Sequence, residues 1–580
     1  MLNTRVLSLL ELPSEIICQI PPLLSSHDLS VCVRVNKAWH QAFMDSLWHT
    51  VKLRDVSRHS VERPVFDRIN ALYGQHLESH NDKSGSEDTV ATRSPFLQNL
   101  HRIRVIKVQY TNFLNLFWEH GQLPLEPIPL EQLSIDFEDD PGRTTSRRRT
   151  YGFPGLLDME PILQILGRSS RLSTFTFVTA IANQGTLRTL HPQDQARLLA
   201  NFPPSLKRLE MVTDRRFHGH VTSSTEQEEE NEALELFLEL DKRGCFENLA
   251  VLSILGVPMS MKLVVALLER SPKLEELSLN AYRATWSDRE LFELISKVSS
   301  RGWKTLGFRS MSGKVGPLSM AAILRHSATL ENIRLTNCLA FDSKSIQKLL
   351  CSAPNLRRFD TTPSYLHGEL EPLSLLATDI VESTEDWACL GLETFKCYIS
   401  GVPRPDITSK GNGRPLTGEY NAGCRSSMLE SSRIQRGVLA QLGRLTKLRD
   451  VTLGKDVIEY RSKTGEARRI EKRLEGAHYS PHNYELGSQY QCLTMSLQDG
   501  LDELKNLKCL RRLTLEKMSL HMGEAEQTWM KENWPEYGKK SRDSFWKSRD
   551  HYVPIGTDLL KEKMGDDATA RAAIKAFDWW

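Results

Sequence analysis

Residues 274–280 read LEELSLN, and the same order of apolar residues returns at 303–309, WKTLGFR, and at 330–336, LENIRLT. Apolar residues stand at the first, fourth and sixth positions of each segment. Apolar residues at every second position are typical of a β-strand with one buried face. Related segments start at residues 249 and 356, at intervals of 25 to 29 residues, so the sequence predicts an array of repeats.

The segments between these predicted strands have the spacing of amphipathic helices. Residues 261–270 (MKLVVALLER), 289–298 (RELFELISKV) and 343–354 (SKSIQKLLCSAP) carry apolar residues at steps of three and four. Strand, turn and helix repeated in this order predict an α/β solenoid, with parallel strands on the concave face and helices outside. The period resembles that of leucine-rich repeats. A doubly wound α/β domain with irregular crossovers is the alternative, and the regular period favours the solenoid.

Weaker copies of the pattern extend the predicted solenoid over residues 96–520. The spacing between copies lengthens where polar, charged or Gly/Pro/Ser-rich stretches intervene. These stretches are predicted to be solvated insertions near residues 138–151, 213–233, 401–432 and 455–495. Residues 51–95 are predicted to be a linker before the repeats.

The N-terminal residues predict a separate, helical unit. Residues 11–51 read ELPSEIICQIPPLLSSHDLSVCVRVNKAWHQAFMDSLWHTV. Asp28 is predicted to cap a second helix, and the pair Pro21-Pro22 is expected to end the first helix near Ile20. Leu47-Trp48 close a third short segment. Three helices in about forty residues bury little surface alone, so this unit is expected to dock on another surface.

The segments LPSEI, DLSVCVRVNKAW and LW resemble the F-box motif in order and spacing, over residues 9–50. Pro21-Pro22, where that family continues a helix, and Asn36, where it often has Cys, depart from the motif. The resemblance implies a unit that binds the small Skp adaptor and, through it, a cullin. The residues that it places in the adaptor contact or the core beneath it are Leu12, Pro13, Ile16, Ile20, Leu24, Leu29, Cys32, Val35, Trp39, Leu47 and Trp48. The alternative is that these helices only cap a helical domain.

The bulk composition excludes several classes of protein. The 580 residues carry a formal net charge of +2, which gives no reason to expect a nucleic-acid or membrane-surface partner. No apolar run approaches the roughly 20 residues of a membrane span, and Glu11 and Glu15 interrupt the apolar start too early for a signal peptide. Ten cysteines without a C-x-x-C pair are expected to be reduced thiols. We therefore expect a cytoplasmic or nuclear protein.

The sequence offers no sign of catalysis. It has no H-E-x-x-H, no P-loop and no G-x-S-x-G, and its histidines have no metal-ligand spacing. The expectation is therefore a protein that is not an enzyme, with no catalytic residues, no metal and no cofactor.

Recognition of a partner is expected on the open face of the repeat strands. Four basic residues share that predicted face, and they are the candidates for contact with an acidic or phosphorylated segment of a client: Arg309, Arg334, Arg358 and Lys396. The alternative is that they pair with neighbours such as Glu276 and Asp360. Residues 521–580 contain five of the eleven tryptophans, and they are expected to form either a cap on the repeats or a partner-binding tail.

By its resemblance, the chain is expected to be the substrate-recognition subunit of an SCF-type cullin ubiquitin ligase, with the Skp adaptor on its F-box and a protein client on its repeats. The alternative is a repeat scaffold that binds partners without a ligase.

Overall fold

The computed structural model of the chain describes the following residues: 19–53, 99–109, 127–136, 159–180, 192–214, 226–240, 246–255, 259, 261–280, 287–298, 301–309, 316–336, 338, 341–362, 374–402, 418–454, 492–516 and 524–537. The chain forms two compact units, Met1–Leu330 and Glu331–Trp580.

The first unit begins with helices. Gln19 is the last residue of a helix, and a 3-10 turn follows over Pro21–Leu23. Helix α1 spans Ser26–Cys32 and helix α2 spans Lys37–His49. The first helix therefore ends at the position that Pro21-Pro22 predict, because proline cannot continue the hydrogen-bond ladder.

Eight parallel strands follow within the described part of the first unit, each paired with the next one along the chain. The strands are β1 Thr50–Leu53, β2 Val105–Gln109, β3 Gln132–Asp136, β4 Thr174–Ala180, β5 Arg208–Asp214, β6 Val251–Leu255, β7 Glu276–Asn280 and β8 Thr305–Arg309. The helices are α3 Glu160–Arg168, α4 Pro192–Ala200, α5 Glu226–Leu240, α6 Met261–Glu269, α7 Asp288–Val298 and α8 Pro317–Arg325, and a 3-10 turn covers Leu100–Arg102.

The second unit continues the alternation of strands and helices. Its elements are β9 Asn332–Thr336, α9 Ser343–Ser352, β10 Arg358–Asp360, β11 Ser374–Leu376, α10 Ala377–Glu382, β12 Thr394–Lys396, β13 Tyr398–Ser400, α11 Gly418–Gly443, β14 Asp450–Gly454, a 3-10 helix Leu501–Asn506, β15 Arg512–Glu516 and α12 Glu524–Asn533. Strands β9, β10, β12, β14 and β15 pair in that order in parallel, and β11 pairs with β13. The predicted fold class, α/β with parallel strands alternating with helices in a repeat-like solenoid, is confirmed.

The repeats are joined by the same backbone contact from one copy to the next. The carbonyl oxygen of the residue that precedes a strand accepts two successive amide groups of the next repeat. In the first unit, the carbonyl of Glu275 accepts the N–H groups of Lys304 and Thr305, at 2.8 and 3.1 Å. In the second unit, the carbonyl of Glu393 accepts those of Arg449 and Asp450, at the same two distances. This repeated contact therefore fixes the register of each strand relative to the one before it.

The apolar positions of the repeat form the core. Leu274, Leu277 and Leu279 are buried, and so are Trp303, Leu306 and Phe308 in the next copy. In β7 the residues between them, Glu276 and Ser278, are partly exposed, so one face of the strand packs inward and the other remains open. The alternation of LEELSLN thus predicts the buried face correctly, because side chains on a strand point to opposite sides in turn.

Strand β1 corrects the predicted boundary between the N-terminal unit and the repeats. Thr50, Val51, Lys52 and Leu53 pair in register with β2, so the repeat sheet begins at residue 50 and not at residue 96. The linker predicted for residues 51–95 therefore begins no earlier than residue 54, and residues 54–98 lie outside the described part. The spacing Trp48, Val51 and Leu53 is that of the repeat motif, so the sequence carries this signal.

The predicted insertions need three further corrections, and the one near 138–151 lies outside the described residues. Within 213–233, Thr213 and Asp214 belong to β5 and helix α5 starts at Glu226. Within 401–432, helix α11 starts at Gly418. Within 455–495, residues 492–495 are buried, where Cys492, Leu493 and Met495 supply apolar side chains. Polar composition predicted these loops, and tertiary packing orders the ends of each.

The described part of the Trp-rich segment packs on the last repeat. Trp534 is buried, and its indole Nε1 donates to the carbonyl of Leu504 at 3.0 Å. Lys508 Nζ donates to the carbonyl of Asn533 at 2.9 Å. Residues 524–537 thus cover the end of the second unit, whereas Trp546, Trp579 and Trp580 lie outside the described residues.

Candidate functional site

Side-chain caps fix the two N-terminal helices. Ser25 Oγ accepts the N–H of Asp28 at 3.2 Å, and the Asp28 carboxylate accepts the backbone N–H of Ser25 at 3.2 Å and its hydroxyl at 2.6 Å. This capping box makes Ser25 the N-cap and corrects the prediction for Asp28, which lies at the third helical position. Asn36 caps α2, where its Oδ1 accepts the N–H of Trp39 at 3.0 Å.

One side of α2 forms the core of this unit. Phe43, Met44, Leu47 and Trp48 are buried there. The helix lies against α1, the Pro21–Leu23 turn, strand β1 and the Leu100–Arg102 turn. Helix α2 therefore joins the N-terminal helices to the first repeat.

Polar contacts reinforce this junction. The carbonyl of His49, at the end of α2, accepts the N–H of Arg104 at 3.0 Å. The Arg102 guanidinium forms an ion pair with the Asp45 carboxylate across the same boundary. The last turn of α2 thus passes directly into the repeat sheet.

The N-terminal unit also exposes large apolar side chains, in the Pro21–Leu23 turn and on and just after α1. Leu23 is 84% exposed, Val35 56% and Val31 49%. Ile20, Leu24, Cys32 and Trp39 are partly exposed. Burying such side chains against a partner removes apolar area from water, and each Å² removed contributes about 25 cal/mol of favourable free energy. We call Leu23, Val31 and Val35 the apolar ridge, and it has the chemistry of a surface that binds another protein.

The structure divides the predicted adaptor-contact residues into three groups. Leu12, Pro13 and Ile16 lie outside the described residues. Leu29, Leu47 and Trp48 are buried, so they belong to the core beneath the surface. The exposed or partly exposed members are Ile20, Leu24, Cys32, Val35 and Trp39.

Leu23 and Val31 are exposed but are not among the contact residues that the F-box resemblance predicts. Leu23 stands at helical spacing from Ile20 in the sequence, but a 3-10 turn over Pro21–Leu23 replaces the helix there. Val31 lies in α1 beside the predicted Leu29, Cys32 and Val35 stripe. The sequence signal that could have indicated their exposure is the position of a large apolar residue beside a proline turn, for Leu23, and on a short helix, for Val31.

The four basic candidates of the sheet face have different environments. In the second unit, Arg334 Nε lies 3.6 Å from the Asp360 carboxylate, so the predicted pairing with Asp360 exists. Arg358 is exposed and Lys396 is partly exposed on neighbouring strands of that unit. Arg309 lies on β8 in the first unit, and it is partly exposed.

Asp360 is the buried acidic group of the second unit's sheet face. Its carboxylate accepts the N–H of Thr362 at 3.2 Å and the hydroxyl of Thr362 at 2.7 Å. The register places Asp360 between Arg334 and Lys396, one on each neighbouring strand. Asp360 therefore separates two of the basic residues and balances part of their charge.

The buried cysteines are suited to packing. Burial raises the pKa of Cys389 and of Cys397 to about 12 in each case, so both remain neutral thiols near neutral pH. Within the ranges that the structure describes, no group of three or more His, Cys, Asp or Glu residues is placed to hold a metal ion. In the same ranges, no helix is long and apolar enough to cross a membrane.

Comparison with known proteins identifies the N-terminal unit. Residues 9–54 match the family described as F-box-like, so the chain contains an F-box-like domain over these residues. The range includes α1, α2, the apolar ridge and strand β1. No curated protein matches the chain. A chain in the crystal structure of the Rad7 and Elc1 complex in yeast has 11% sequence identity and a TM-score of 0.22, covering 63% of this chain and 100% of that one. At this TM-score the similarity supports no argument about fold or function.

Proposed function

We propose that the chain is a receptor subunit of an SCF-type cullin ubiquitin ligase. The F-box-like domain binds a Skp-type adaptor, the adaptor connects the chain to a cullin, and the repeats hold a protein client. The observation that supports the proposal best is the apolar ridge. It lies inside the range of the F-box-like match, on a unit that buries Phe43, Met44, Leu47 and Trp48 but leaves these three side chains exposed.

The ridge suits a stable partner. Leu23, Val31 and Val35 stay exposed although the unit has a buried core and both α1 and α2 have side-chain N-caps. Selection for stability and solubility alone would favour polar residues at such positions. A partner with an apolar groove would cover these side chains and gain the hydrophobic free energy of their burial.

The receptor itself is not an enzyme in this proposal. It binds the client and raises the effective concentration of client lysines near the conjugating enzyme of the ligase, and that enzyme supplies the chemistry. The open sheet face of the repeats is the surface proposed to hold the client. No metal or cofactor is required for this role. A cytoplasmic or nuclear location follows as part of the same proposal.

Copurification of a Skp-type adaptor with the full chain tests the proposal. The wild-type chain is expected to retain the adaptor, and the double variant Leu12→Ala/Pro13→Ala is expected to lose it. Absence of the adaptor from the wild-type complex would overturn the ligase role. A circular dichroism spectrum of the double variant that matches the wild type shows that the loss is not caused by unfolding.

The rival function is a repeat scaffold without a ligase. One observation favours it, since α2 lies against β1 and the Leu100–Arg102 turn of the first repeat, as a simple cap would. A scaffold would not need the apolar ridge. Substitutions of Leu23 or Val35 would then leave every interaction of the chain unchanged, whereas the receptor proposal requires a loss of adaptor binding.

A further inference from the structure

We propose that the sheet face of the second unit, over strands β9, β10 and β12, binds an extended protein segment that carries carboxylate side chains at alternate positions. This inference rests on the proposed function, because it names the chemical class of the client. The surface consists of Arg334, Arg358 and Lys396 around Asp360, and we call it the basic triangle.

The three basic residues lie on adjacent strands of one parallel sheet. Asp360 is in register with Arg334 on one side and with Lys396 on the other. Arg358 lies two residues before Asp360 on the central strand, on the same face, because Phe359 between them is buried in the core. Neighbouring strands are about 4.8 Å apart and alternate residues about 6.6 Å apart, so the corners of the triangle are roughly 8 to 10 Å apart.

Those distances suit an extended peptide. Side chains on one side of an extended chain recur at about 6.6 to 7 Å, and long Arg and Lys side chains adjust over the remaining distance. Two carboxylates at positions i and i+2 can therefore reach two corners of the triangle together. An α-helix, whose same-side residues are three or four apart, gives a different spacing.

The charges of the triangle are only partly balanced. Asp360 is the acidic member, and Arg334 Nε is 3.6 Å from its carboxylate. The Asp360 carboxylate also accepts two hydrogen bonds from Thr362, which hold it in place. Three positive charges against one negative charge leave a net positive face, and Arg358 and Lys396 supply the excess.

Several neighbouring charged residues of the same sheet form ion pairs with one another. Arg512 Nε lies 3.7 Å from the Asp450 carboxylate. At the start of the strands, Arg357 pairs with Glu331 at 4.0 Å and Arg449 pairs with Glu393 at 3.3 Å. These pairs balance the rim of the face, so the excess positive charge lies at the basic triangle.

The groups between the basic corners donate or accept hydrogen bonds and present little apolar area. Thr394 and Thr452 stand on β12 and β14, and Asn332 stands on β9. A polar floor with guanidinium and ammonium groups fits the backbone and carboxylates of a peptide. The apolar ridge of the first unit has the opposite character, so the two surfaces are suited to different partners.

Fluorescence anisotropy with a labelled peptide tests the proposal on the full chain. The probe is a twelve-residue peptide of alternating Glu and Ala, and the comparison peptide has Lys in place of Glu. The wild-type chain is expected to bind the Glu peptide, to bind it less tightly as NaCl rises from 50 to 300 mM, and to show no binding of the Lys peptide.

The double variant Arg358→Glu/Lys396→Glu is expected to weaken binding of the Glu peptide at least tenfold. The matched control, Arg289→Glu/Arg433→Glu, makes the same change in net charge on helices α7 and α11, where both side chains are exposed. The control is expected to bind like the wild type. Equal affinities of wild type and Arg358→Glu/Lys396→Glu, or no binding by the wild type, would overturn the proposal.

A twelve-nucleotide single-stranded DNA serves as competitor, because a basic surface also attracts phosphates. If the DNA binds more tightly than the Glu peptide and loses its binding in Arg358→Glu/Lys396→Glu, the surface recognises nucleic acid and the proposal for an acidic protein segment fails. Copurification of the Skp-type adaptor is measured for the same variants. If they retain the adaptor but the peptide result is negative, the acidic-segment proposal fails while the proposed ligase role stands.

Discussion

The N-terminal helical unit and the repeats bury their apolar residues by different means. In repeat strand β7, the residues between the buried leucines are the polar Glu276 and Ser278, which are partly exposed. In the helical unit, Leu23, Val31 and Val35 remain largely exposed beside a filled core. A repeat completes its core through the next copy, whereas the short helical unit keeps apolar side chains that the described part of the chain leaves exposed. This difference indicates a hydrophobic partner for the helical unit and a polar one for the repeats.

The largest effect is expected from a substitution on the buried side of the helical unit. Phe43→Ala removes a fully buried ring that contacts Trp39 at a centroid distance of 5.4 Å. Such a change costs about 3–5 kcal/mol, enough to unfold the unit and abolish adaptor binding. Hydrogen exchange of residues 19–53, read by mass spectrometry, is expected to lose its protection. The control Val35→Ala changes an exposed residue and is expected to keep it; equal protection in both variants would contradict the division into a buried and an exposed side.

A smaller effect is expected from a contact between neighbouring repeats. The Asp288 carboxylate, at the start of α7, accepts the N–H groups of Gly316 at 2.8 Å, Leu318 at 2.9 Å and Ser319 at 2.9 Å. It therefore caps the N-terminus of α8 in the next repeat. Asp288→Ala is expected to lower the free energy of unfolding by about 1–2 kcal/mol, the usual effect of a lost helix cap. Urea unfolding followed by circular dichroism measures it.

The control for this cap is Arg289→Ala, the neighbouring residue, whose side chain is 81% exposed. It is expected to change the free energy of unfolding by no more than about 0.5 kcal/mol. Equal urea midpoints of Asp288→Ala and wild type would show that α8 does not depend on the preceding repeat, and the contrast with the self-contained helix caps of the N-terminal unit would disappear.

The same cap predicts a dependence on pH. Burial on its own would raise the pKa of Asp288, but the hydrogen bonds from Ser319, Gly316 and Leu318 outweigh it, so the pKa lies below its ordinary value. The stability that the charged carboxylate supplies is complete above its unfolded pKa, near 4, and is lost as pH falls through the lower folded value. The difference in urea midpoint between wild type and Asp288→Ala is therefore expected to persist at pH 6 and shrink at pH 3. A difference that grows on acidification would contradict this assignment.

The smallest effect is expected on the sheet face of the second unit. Asp360→Asn keeps an oxygen that can accept the two hydrogen bonds of Thr362, and it removes the negative charge near Arg334. Asp360 is buried, but the Arg334 side chain is 46% exposed, so water weakens their attraction to about 1 kcal/mol. The Glu peptide is therefore expected to bind up to about fivefold more tightly. The fluorescence anisotropy titration measures the change. Weaker binding would show that Asp360 itself contacts the peptide and would remove the contrast between an apolar and an electrostatic surface.

Much of the fold could be predicted from the sequence because its signals are local. The alternation in LEELSLN predicts the buried face of β7, and Pro21-Pro22 predict the end of the first helix. The prediction of Asp28 as N-cap was wrong although the signal was local. Ser25 and Asp28 have the S-x-x-D spacing of a capping box, in which the serine is the cap and the aspartate lies three residues later.

The surfaces were harder to predict because they depend on tertiary contacts. Leu23 has helical spacing in the sequence, but the turn that begins at Pro21 leaves it exposed. Pairing with Asp360 was predicted as the alternative for the basic residues, and the register of β9 and β10 makes Arg334 the residue that pairs. Trp48, Val51 and Leu53 have the spacing of the repeat motif, but Trp48 also fits the LW pair that ends the F-box motif. Because one residue belongs to both patterns, the sequence did not separate the first repeat from the helical unit.

Titration of a purified Skp-type adaptor into the full chain by isothermal calorimetry tests the central claim most directly. The variant Val31→Asp/Val35→Asp changes two exposed residues of the apolar ridge, and Leu390→Asp/Leu429→Asp changes two exposed leucines of the second unit as its control. The wild type and Leu390→Asp/Leu429→Asp are expected to bind the adaptor with equal affinity, and Val31→Asp/Val35→Asp is expected to bind at least tenfold more weakly with an unchanged melting temperature. No binding by the wild type, or equal binding by all three proteins, would contradict the assignment of the apolar ridge as an adaptor-binding surface.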